Sequence, residues 1–321
     1  MAVYTLVSDD ALEEFLSPYN LGRVLAFKGI AEGVENSNYF LKTEQGSFIL
    51  TLYEKRVNEQ ELPFFINLMQ HLSQQGLNCP LPIQTTEGQS LGRLAGRPAA
   101  LISFLDGLSI KTPTAAHCRS LGRALAELHE AGRTFSMERA NSLSVASWRP
   151  LLNASGTKTD NVFPGLYERL QTEISFLEEN WPCNLPSGVI HADLFTDNVF
   201  FIGDQLSGII DFYFSCTDLL AYDLAICLNA WCFEPDNSYN LTKGRALISA
   251  YQSIRPLEPH ERKALPVLCR GAAIRFALTR LYDWLNVPEG ALVKPKDPLE
   301  YDRKLAFHKR ITSAYEYGFS E

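Results

Sequence analysis

The fold is decided by the stretch Val189–Phe212, which is VIHADLFTDNVFFIGDQLSGIIDF. Two apolar runs, Val199–Ile202 and Leu206–Ile210, flank a glycine-containing turn, and this pattern is typical of a β-hairpin. The outer ends of an antiparallel hairpin meet again, because neighbouring strands lie about 4.8 Å apart. Asn198 and Asp211, one before and one after the hairpin, should therefore emerge side by side.

The polar residues around this hairpin suit phosphoryl transfer. An amide oxygen from Asn198 and a carboxylate from Asp211 are the kind of ligands that Mg²⁺, a hard cation, prefers. Asp193 lies in the loop before them, where it could accept the proton of an attacking hydroxyl while the metal neutralises phosphate charge. We expect His191 to be structural and to hold this loop. The alternative is that the three candidates are ordinary turn residues, since turns favour Asp and Asn.

Composition and charge argue against several classes of protein. The chain has 321 residues, with 29 Lys and Arg against 37 Asp and Glu and a formal net charge of −8. It has no basic run, so neither nucleic acid nor an anionic membrane is an expected partner. Met1–Asp10 lacks the apolar core of a signal peptide, and the apolar runs are too short to span a bilayer. The seven cysteines are scattered without a Cys-x-x-Cys motif, which favours reduced, mostly buried thiols in a cytoplasmic protein.

The pattern of apolar residues changes along the chain from strands to helices. Two runs, Asn38–Lys42 and Ser47–Tyr53, flank a turn that contains glycine and predict a second hairpin. Apolar steps of three and four predict an amphipathic helix over Glu59–Gln75. The further predicted strands are Val24–Lys28, Leu81–Ile83, Ser90–Leu94 and Ala99–Phe104, and the further predicted helices are Thr114–Ala131, Asp218–Trp231, Thr242–Ser253 and Leu265–Leu285. The sequence thus predicts an α+β protein with a strand-rich N-terminal lobe, residues 1–103, and a larger helical lobe, residues 104–321.

The motif His-x-Asp-x-x-x-x-Asn at 191–198, with the hairpin and Asp211 after it, resembles the catalytic and metal-binding loops of the protein-kinase-like superfamily. The resemblance implies a two-lobe fold that uses ATP and Mg²⁺. Only twelve positions separate Asp211 from Asp223, too few for the activation segment that holds a polypeptide substrate, and no Ala-Pro-Glu motif closes it. Asp218 opens the pattern Asp-x-x-x-Tyr-Asp-Leu-Ala, which resembles the aminoglycoside and choline kinase-like branch. By that resemblance, Asp223 would brace the catalytic loop from the following helix.

The expected nucleotide site lies in the N-terminal lobe. Gly29 and Gly33 lie in a loop between two strands, where glycine lets backbone amides approach phosphates. A plain hairpin loop is the alternative. In the aminoglycoside kinase-like branch a Gly-…-Glu-Asn-Ser-Asn-Tyr loop is common, and the match implies nucleotide contacts from Asn36, Ser37 and Asn38. The same resemblance implies that the backbone of Ser103 and Phe104 binds adenine in the connector between the lobes.

Two positions depart from the kinase pattern. Thr51 stands in the third strand where kinases usually place the Lys that binds the ATP phosphates, and Lys42, Lys55 and Arg56 are open as substitutes. Phe195 stands in the catalytic loop where protein kinases have Lys and aminoglycoside kinases often have His. The absent third-strand Lys leaves a second hypothesis open, a pseudokinase that binds nucleotide without transferring phosphate. An adaptor that binds no nucleotide is a third possibility.

Four segments narrow the substrate. They are ENSNYF at 35–40, FILTLYE at 48–54, LPFFINLM at 62–69 and HADLFTDN at 191–198. Together they resemble the homoserine kinases of the aminoglycoside-kinase-like type, and the resemblance covers nearly the whole chain. It implies transfer of the ATP γ-phosphate to the side-chain hydroxyl of L-homoserine, a step towards threonine.

Recognition of an amino acid needs a cation for its carboxylate and a carboxylate for its ammonium group. Arg275 or Arg280, in the late predicted helix, could supply the first, and Asp218 or Asp283 the second. The alternative is that these residues form ordinary salt bridges between helices.

Other small alcohols remain open as substrates. Tyr213 is a further candidate for substrate contact, and with Trp231 and Trp284 it could form the aromatic cage that choline prefers. Methylthioribose and aminoglycosides are alternatives as well. The sequence leaves the oligomeric state open.

Overall fold

The computed structural model describes residues 5–30, 36–54, 58–287 and 295–320. The chain forms two compact units, the first of Met1–Gly107 with Ser207–Ile210 and the second of Leu108–Leu206 with Asp211–Glu321. The functional division into residues 1–103 and 104–321 stays a prediction.

An antiparallel sheet forms the centre of the first unit. Its strands, in the order β1-β2-β3-β5-β4, are β1 at Val24–Gly29, β2 at Asn36–Thr43, β3 at Gly46–Tyr53, β4 at Gly92–Leu94 and β5 at Arg97–Ser103. The described helices of this unit are α1 at Asp9–Leu16 and α2 at Leu62–Gln74. Leu41, Leu50 and Leu101 are fully buried in a core that includes Phe15 of α1. Because side chains alternate across a strand, one face of the sheet supplies this core.

The sequence predicted most of the first unit. The hairpin of β2 and β3 is confirmed, with Thr43 opposite Gly46 at its turn. The predicted helix is confirmed in its main part, although its first three residues form a 3₁₀ turn ahead of α2. The strand predicted over Leu81–Ile83 is wrong, since only Pro82 forms an isolated bridge, to Ile102. Proline has no N–H to donate to a strand ladder, so a segment with Pro82 at its centre does not extend into a regular strand.

Helices make up most of the second unit. They are α3 at Ala115–Gly132, α4 at Val145–Ser155, α5 at Leu166–Asn180, α6 at Leu220–Trp231, α7 at Leu241–Gln252, α8 at Pro259–Leu285 and α9 at Leu299–His308. Its short strands are β6 at Leu108–Ser109, β7 at Ser187–Ile190, β8 at Val199–Ile202, β9 at Gln205–Ile209, which begins in this unit, and β10 at Cys216–Leu219. Strand β7 pairs with β10, and a second sheet has the order β6-β8-β9. Within the described ranges, no helix combines the length and apolar character that crossing a bilayer requires.

The hairpin predicted around the glycine turn is confirmed, because β8 and β9 are neighbours in their sheet. Helix α3 is confirmed as well, and Thr114 caps its first turn. Helix α6 begins later than predicted, at Leu220, since the two residues before it belong to β10. Helix α8 begins earlier than predicted, at Pro259. A proline suits this first position, and Glu258 and Glu261 form a reciprocal capping box there.

Six of the seven cysteine thiols are buried, and Cys183 is exposed. All seven are free thiols. Burial raises the pKa of Cys79 to about 12 and that of Cys216 to about 12. These two thiols therefore stay protonated and unreactive at neutral pH.

Helices α3 and α7 approach each other closely at Gly122. A Cβ atom at this position would lie 2.2 Å from the Leu247 carbonyl oxygen. Alanine stabilises a helix relative to glycine by about 1 kcal/mol, but overpacking against a backbone atom costs about 3 kcal/mol. The crowding should therefore outweigh the helix propensity, and the substitution should be destabilising. We expect Gly122→Ala to lower the free energy of unfolding by about 2 kcal/mol in urea denaturation. The control is Ser249→Ala on an exposed position of α7, which should change it by less than about 0.5 kcal/mol. A stabilised Gly122→Ala variant would contradict the close approach.

A buried histidine should make the fold sensitive to acid. The His308 imidazole contacts the Tyr317 hydroxyl through Nδ1 at 2.8 Å and the Asn229 amide oxygen through Nε2 at 3.0 Å. Burial, with nearby positive charge, lowers the pKa of His308 from 6.5 to about 3. Between these values the unfolded chain binds a proton that the folded chain refuses, so the stability present above pH 6.5 is lost as the pH falls towards 3.

At pH 5 this loss should reach about 2 kcal/mol relative to pH 7.5. His308→Gln removes the titrating group, so it should be less stable at pH 7.5 but should lose about 2 kcal/mol less on acidification. Urea denaturation at both pH values measures the difference. His260→Gln, at an exposed position, should keep the wild-type slope. Parallel slopes for wild type and His308→Gln would contradict the assignment.

Candidate active site

The loop after β7 carries Asp193. The residue before it, Ala192, has a φ angle of 65°, a left-handed conformation that costs a non-glycine residue on the order of 1 kcal/mol. The N–H of Phe195 donates to the Asp193 carbonyl oxygen at 2.8 Å and tightens the turn. His191 and Leu194 are buried on either side, so the loop leaves the Asp193 side chain partly exposed on an otherwise buried support.

Asn198 is hydrogen-bonded to Asp193. Its Nδ2 donates to the Asp193 carbonyl oxygen at 2.8 Å and to Asp193 Oδ2 at 3.1 Å. The planar carboxamide therefore directs its oxygen away from Asp193, where the oxygen could meet a cation. The hydrogen bonds also fix the orientation of the Asp193 carboxylate.

Asp211 is the second residue, with Asn198, that offers an oxygen ligand for a cation. It is exposed, has a left-handed φ of 65° and precedes a 3₁₀ turn at Phe212–Phe214. Because β8 and β9 are neighbours, Asn198, directly before β8, and Asp211, just after β9, lie at the same end of that pair. An amide oxygen and a carboxylate at one end of a hairpin fit a hard cation such as Mg²⁺.

Asp223 of α6 supports the loop from below. Its Oδ2 accepts from the His191 N–H at 2.7 Å, and its Oδ1 accepts from the Ala192 N–H at 2.9 Å. His129 of α3 approaches the same carboxylate, with Nε2 3.2 Å from Oδ2. Burial alone would raise the pKa of Asp223, but the hydrogen bond from His129, the charges of His129 and His191 and the backbone N–H hold it below its usual value. A buried, ionised carboxylate therefore fixes the two residues that precede Asp193.

Arg275 of α8 contacts the loop from another side. It is 2% exposed, and its Nη1 donates to the Ala192 carbonyl oxygen. Its guanidinium carbon lies 4.5 Å from the centroid of the Phe276 ring, and its Nε has no hydrogen-bond partner. Although Asp193 keeps some exposure to solvent, its largely buried surroundings raise its pKa to about 6 despite the opposing charge of Arg275. Arg275 thus acts on Asp193 electrostatically and holds the backbone before it.

Two other predicted substrate residues, Arg280 and Asp218, are already paired with neighbouring side chains in the second unit. Arg280 Nη1 lies 2.6 Å from Glu300 Oε2, which joins α8 to α9. Asp218 accepts from Asn141 Nδ2 at 2.7 Å and from the Leu219 N–H at 2.7 Å.

The remaining candidates differ in how far they are exposed. Tyr213 is partly exposed in the 3₁₀ turn after Asp211, and Asp283 is exposed near the end of α8. Trp231 is fully buried, and its Nε1 donates to the Leu194 carbonyl oxygen at 2.7 Å. Trp231 is therefore a core residue beneath the catalytic loop and does not form a cage wall.

The predicted nucleotide residues lie in the first unit. Gly29 ends β1, and Gly33 lies outside the described residues. The side chains that begin β2 bond to their neighbours: Asn38 Oδ1 accepts from the Thr51 hydroxyl at 2.8 Å, and the Ser37 hydroxyl donates to Glu54 at 2.6 Å. Asn36 Oδ1 accepts from the Glu54 N–H at 3.4 Å.

The predicted adenine segment is also hydrogen-bonded within the first unit. The Ser103 N–H donates to the Leu81 carbonyl oxygen at 2.8 Å, and the Phe104 N–H donates to the Ser47 carbonyl oxygen at 3.2 Å. Binding of adenine by the backbone of Ser103 and Phe104 stays a prediction.

Of the three residues that could replace a third-strand lysine, only Lys42 lies in the part of the chain that the structure describes. Lys42 stands opposite Ser47 beside the closed turn of the β2–β3 hairpin, and its Nζ lies 3.2 Å from Ser47 Oγ. Thr51 is four positions further along β3, which is about 13 Å at the usual rise of a strand. Lys42 therefore lies far from the strand end that carries Asn36. Lys55 and Arg56 lie outside the described residues.

Sequence reasoning missed an ion pair on the catalytic loop. Lys296 Nζ lies 3.2 Å from Asp197 Oδ2, although 99 positions separate the two residues. The same ammonium lies 5.2 Å from the centroid of the Phe195 ring. No local pattern could have found this contact, because Lys296 precedes α9 and reaches the loop only through the tertiary fold.

The sequence and the fold identify the class of protein. The profile described as "Phosphotransferase enzyme family" matches residues 26–257, and the chain belongs to this family. The chain is 67% identical over 320 residues to the homoserine kinase of Methylobacterium nodulans, with 100% of both chains covered. It is 62% identical over 320 residues to the homoserine kinase of Xanthobacter autotrophicus, again with 100% of both covered. The resemblance inferred from the sequence is confirmed.

Solved structures share the fold at low identity. The amicoumacin kinase hAmiN, in complex with AMP-PNP, Ca²⁺ and Ami, has a TM-score of 0.71 at 13% identity over 97% of this chain and 93% of that one. The choline kinase LicA from Streptococcus pneumoniae has a TM-score of 0.66 at 16% identity over 94% of this chain and 99% of that one. The predicted α+β, protein-kinase-like fold class is therefore confirmed.

Proposed function

We propose that this protein transfers the γ-phosphate of ATP to the side-chain hydroxyl of L-homoserine and forms O-phospho-L-homoserine. The observation that carries the proposal is identity of 60–67% to homoserine kinases over the full length of the chain. The arrangement of Asp193, Asn198 and Asp211 supports the same chemistry. The substrate is a small molecule, and threonine biosynthesis is the process that the reaction would serve.

Asp193 is the proposed general base. In the reaction, the hydroxyl oxygen of homoserine forms a bond to the γ-phosphorus, the bond between that phosphorus and the ADP oxygen breaks, and the hydroxyl proton passes to Asp193. Asn198 orients the carboxylate through the hydrogen bond of 3.1 Å to Oδ2. His191 and Asp223 are positioning residues, because they fix the loop rather than contact the reacting atoms.

ATP and Mg²⁺ are the proposed co-substrate and cofactor. The Asn198 amide oxygen and the Asp211 carboxylate would hold Mg²⁺, which neutralises phosphate charge when bound. We propose residues 1–103 as the nucleotide-binding lobe, with contacts from Gly29, Gly33, Asn36, Ser37, Asn38, Ser103 and Phe104. Residues 104–321 would carry catalysis and acceptor binding.

A coupled assay of ADP release tests the proposal. We would combine the protein and Mg-ATP with L-homoserine, choline, methylthioribose, kanamycin or L-serine, each in turn. Turnover with homoserine alone is the expected result. Turnover with another member would keep the kinase and overturn the acceptor. If no acceptor gives ADP release while Mg-ATP still raises the melting temperature, the result would favour the pseudokinase.

A further inference from the structure

The amino-acid head group of the acceptor needs charges that the fold does not already use. Free homoserine is a zwitterion, so a site that selects it should offer a cation and a carboxylate together. Arg275 is buried against Ala192, Arg280 is paired with Glu300, and Asp218 is bonded to Asn141. The inference below rests on the proposed function and concerns which other residues recognise the acceptor.

An opposite-charge pair stands at the surface of the catalytic loop. Lys296 Nζ and Asp197 Oδ2 are 3.2 Å apart, and each side chain is 60% exposed. An ion pair this exposed contributes at most about 1 kcal/mol to stability, so folding does not depend on it. A ligand can therefore separate the two charges at little cost and pair with each of them.

The Phe195 ring gives the lysine a fixed platform. The Lys296 ammonium lies 5.2 Å from the centroid of that ring, within the range of a cation–π contact. Phe195 is in turn held by an edge contact to Phe276, with ring centroids 4.7 Å apart. The Lys296 ammonium thus lies over Phe195, the position where protein kinases have Lys and aminoglycoside kinases often have His.

The pair lies close to the proposed base. Asp197 directly precedes Asn198, whose amide donates to Asp193. The Lys296–Asp197 ion pair therefore adjoins the residue that orients the proposed base.

The length of the acceptor sets how far its head group can lie from the base. Standard bond lengths place the carboxylate and ammonium groups of homoserine about 4 to 5 Å from its hydroxyl oxygen. With a hydrogen bond of about 3 Å at each end, a hydroxyl at Asp193 puts the head group within reach of the neighbouring loop residues.

We propose that Lys296 and Asp197 form the head-group site of the acceptor, where Lys296 binds the α-carboxylate and Asp197 binds the α-ammonium group. Two fragments of homoserine separate these contacts. 4-Hydroxybutyrate keeps the carboxylate and lacks the ammonium group, whereas 3-aminopropan-1-ol keeps the amine and lacks the carboxylate. Each can be measured as a competitive inhibitor against homoserine, whether or not it is phosphorylated.

The variants Lys296→Met and Asp197→Asn test the two proposed contacts separately. Both variants should lose about 10- to 100-fold in kcat/KM for homoserine, mainly through KM, as expected when one charged hydrogen bond is removed. Lys296→Met should raise the inhibition constant of 4-hydroxybutyrate by a similar factor and leave that of 3-aminopropan-1-ol unchanged. Asp197→Asn should show the opposite pattern. The control is Lys309→Met, which breaks an ion pair of 3.3 Å to Glu173 elsewhere in this unit and should leave all three constants unchanged.

Three results would overturn the inference. One is an unchanged KM for homoserine in both variants. Another is a loss in Lys296→Met that affects both fragments equally, which would assign Lys296 to the transferring phosphate. A wild-type protein that phosphorylates choline or another acceptor but not homoserine would overturn the proposed function first, and the head-group site with it.

Discussion

Turnover of L-homoserine should fall by about 10³-fold or more in Asp193→Asn. An amide cannot take up the proton of the attacking hydroxyl, and general base catalysis contributes about 10² to 10⁴-fold to such reactions. The substituted side chain keeps an oxygen that can accept from Asn198 Nδ2, which now bonds Asp193 Oδ2 at 3.1 Å. The loop should therefore keep its shape, and the loss should appear in kcat.

The measurement is ADP release under saturating homoserine and Mg-ATP. The rise in melting temperature on adding Mg-ATP should match that of the wild type, which shows that nucleotide binding is intact. A variant that retains a tenth or more of the wild-type kcat would exclude Asp193 as the base. A variant that no longer responds to Mg-ATP would show that the substitution disturbs the nucleotide site instead.

Asp223→Asn should destabilise the second unit by about 3 kcal/mol or more and remove most activity. The carboxylate is fully buried and accepts two backbone N–H groups, from His191 and Ala192, at 2.7 and 2.9 Å. An amide presents one oxygen and one N–H₂ group, so one of the two loop N–H groups would face another donor. Loss of one partner from a buried charged network costs about 3 to 5 kcal/mol.

A second aspartate–histidine pair gives the control for this variant. Asp204 Oδ1 lies 3.1 Å from His117 Nε2, almost the same length as the buried pair of Asp223 and His129, but the Asp204 side chain is 69% exposed. Asp204→Asn should change the free energy of unfolding by less than about 1 kcal/mol and leave turnover unchanged. Equal, small effects of both substitutions in urea denaturation and ADP release would contradict the bracing role of Asp223.

Local patterns predicted the parts of the fold that local interactions determine. The β8–β9 hairpin follows from two apolar runs around a glycine turn, so its geometry depends on neighbours in sequence. Helix α4 was not predicted, because it contains Pro150 and is followed directly by Gly156, two residues that mask an apolar repeat. The short helix α1 has only eight residues, below the length at which periodicity is clear.

Tertiary contacts account for what the sequence could not give at the site. Arg275 has the residue type and the late helical position expected of a carboxylate receptor, yet the packing of α8 buries it against Ala192. Lys296 and Asp197 lie 99 positions apart and meet only through the tertiary fold. Charge type can be read from a sequence, but whether a charge faces solvent or a neighbouring helix depends on the packed structure.

The distribution of the thiols gives the protein a built-in chemical reporter. Since Cys183 is exposed and the other six cysteines are buried, an alkylating reagent should add one adduct to the native chain. Further adducts should appear only as the core opens, so mass spectrometry of the reaction over time would report how often each part of the structure exposes its interior. The same single attachment point could carry a fluorophore or a surface tether at a chosen site, without any engineered residue.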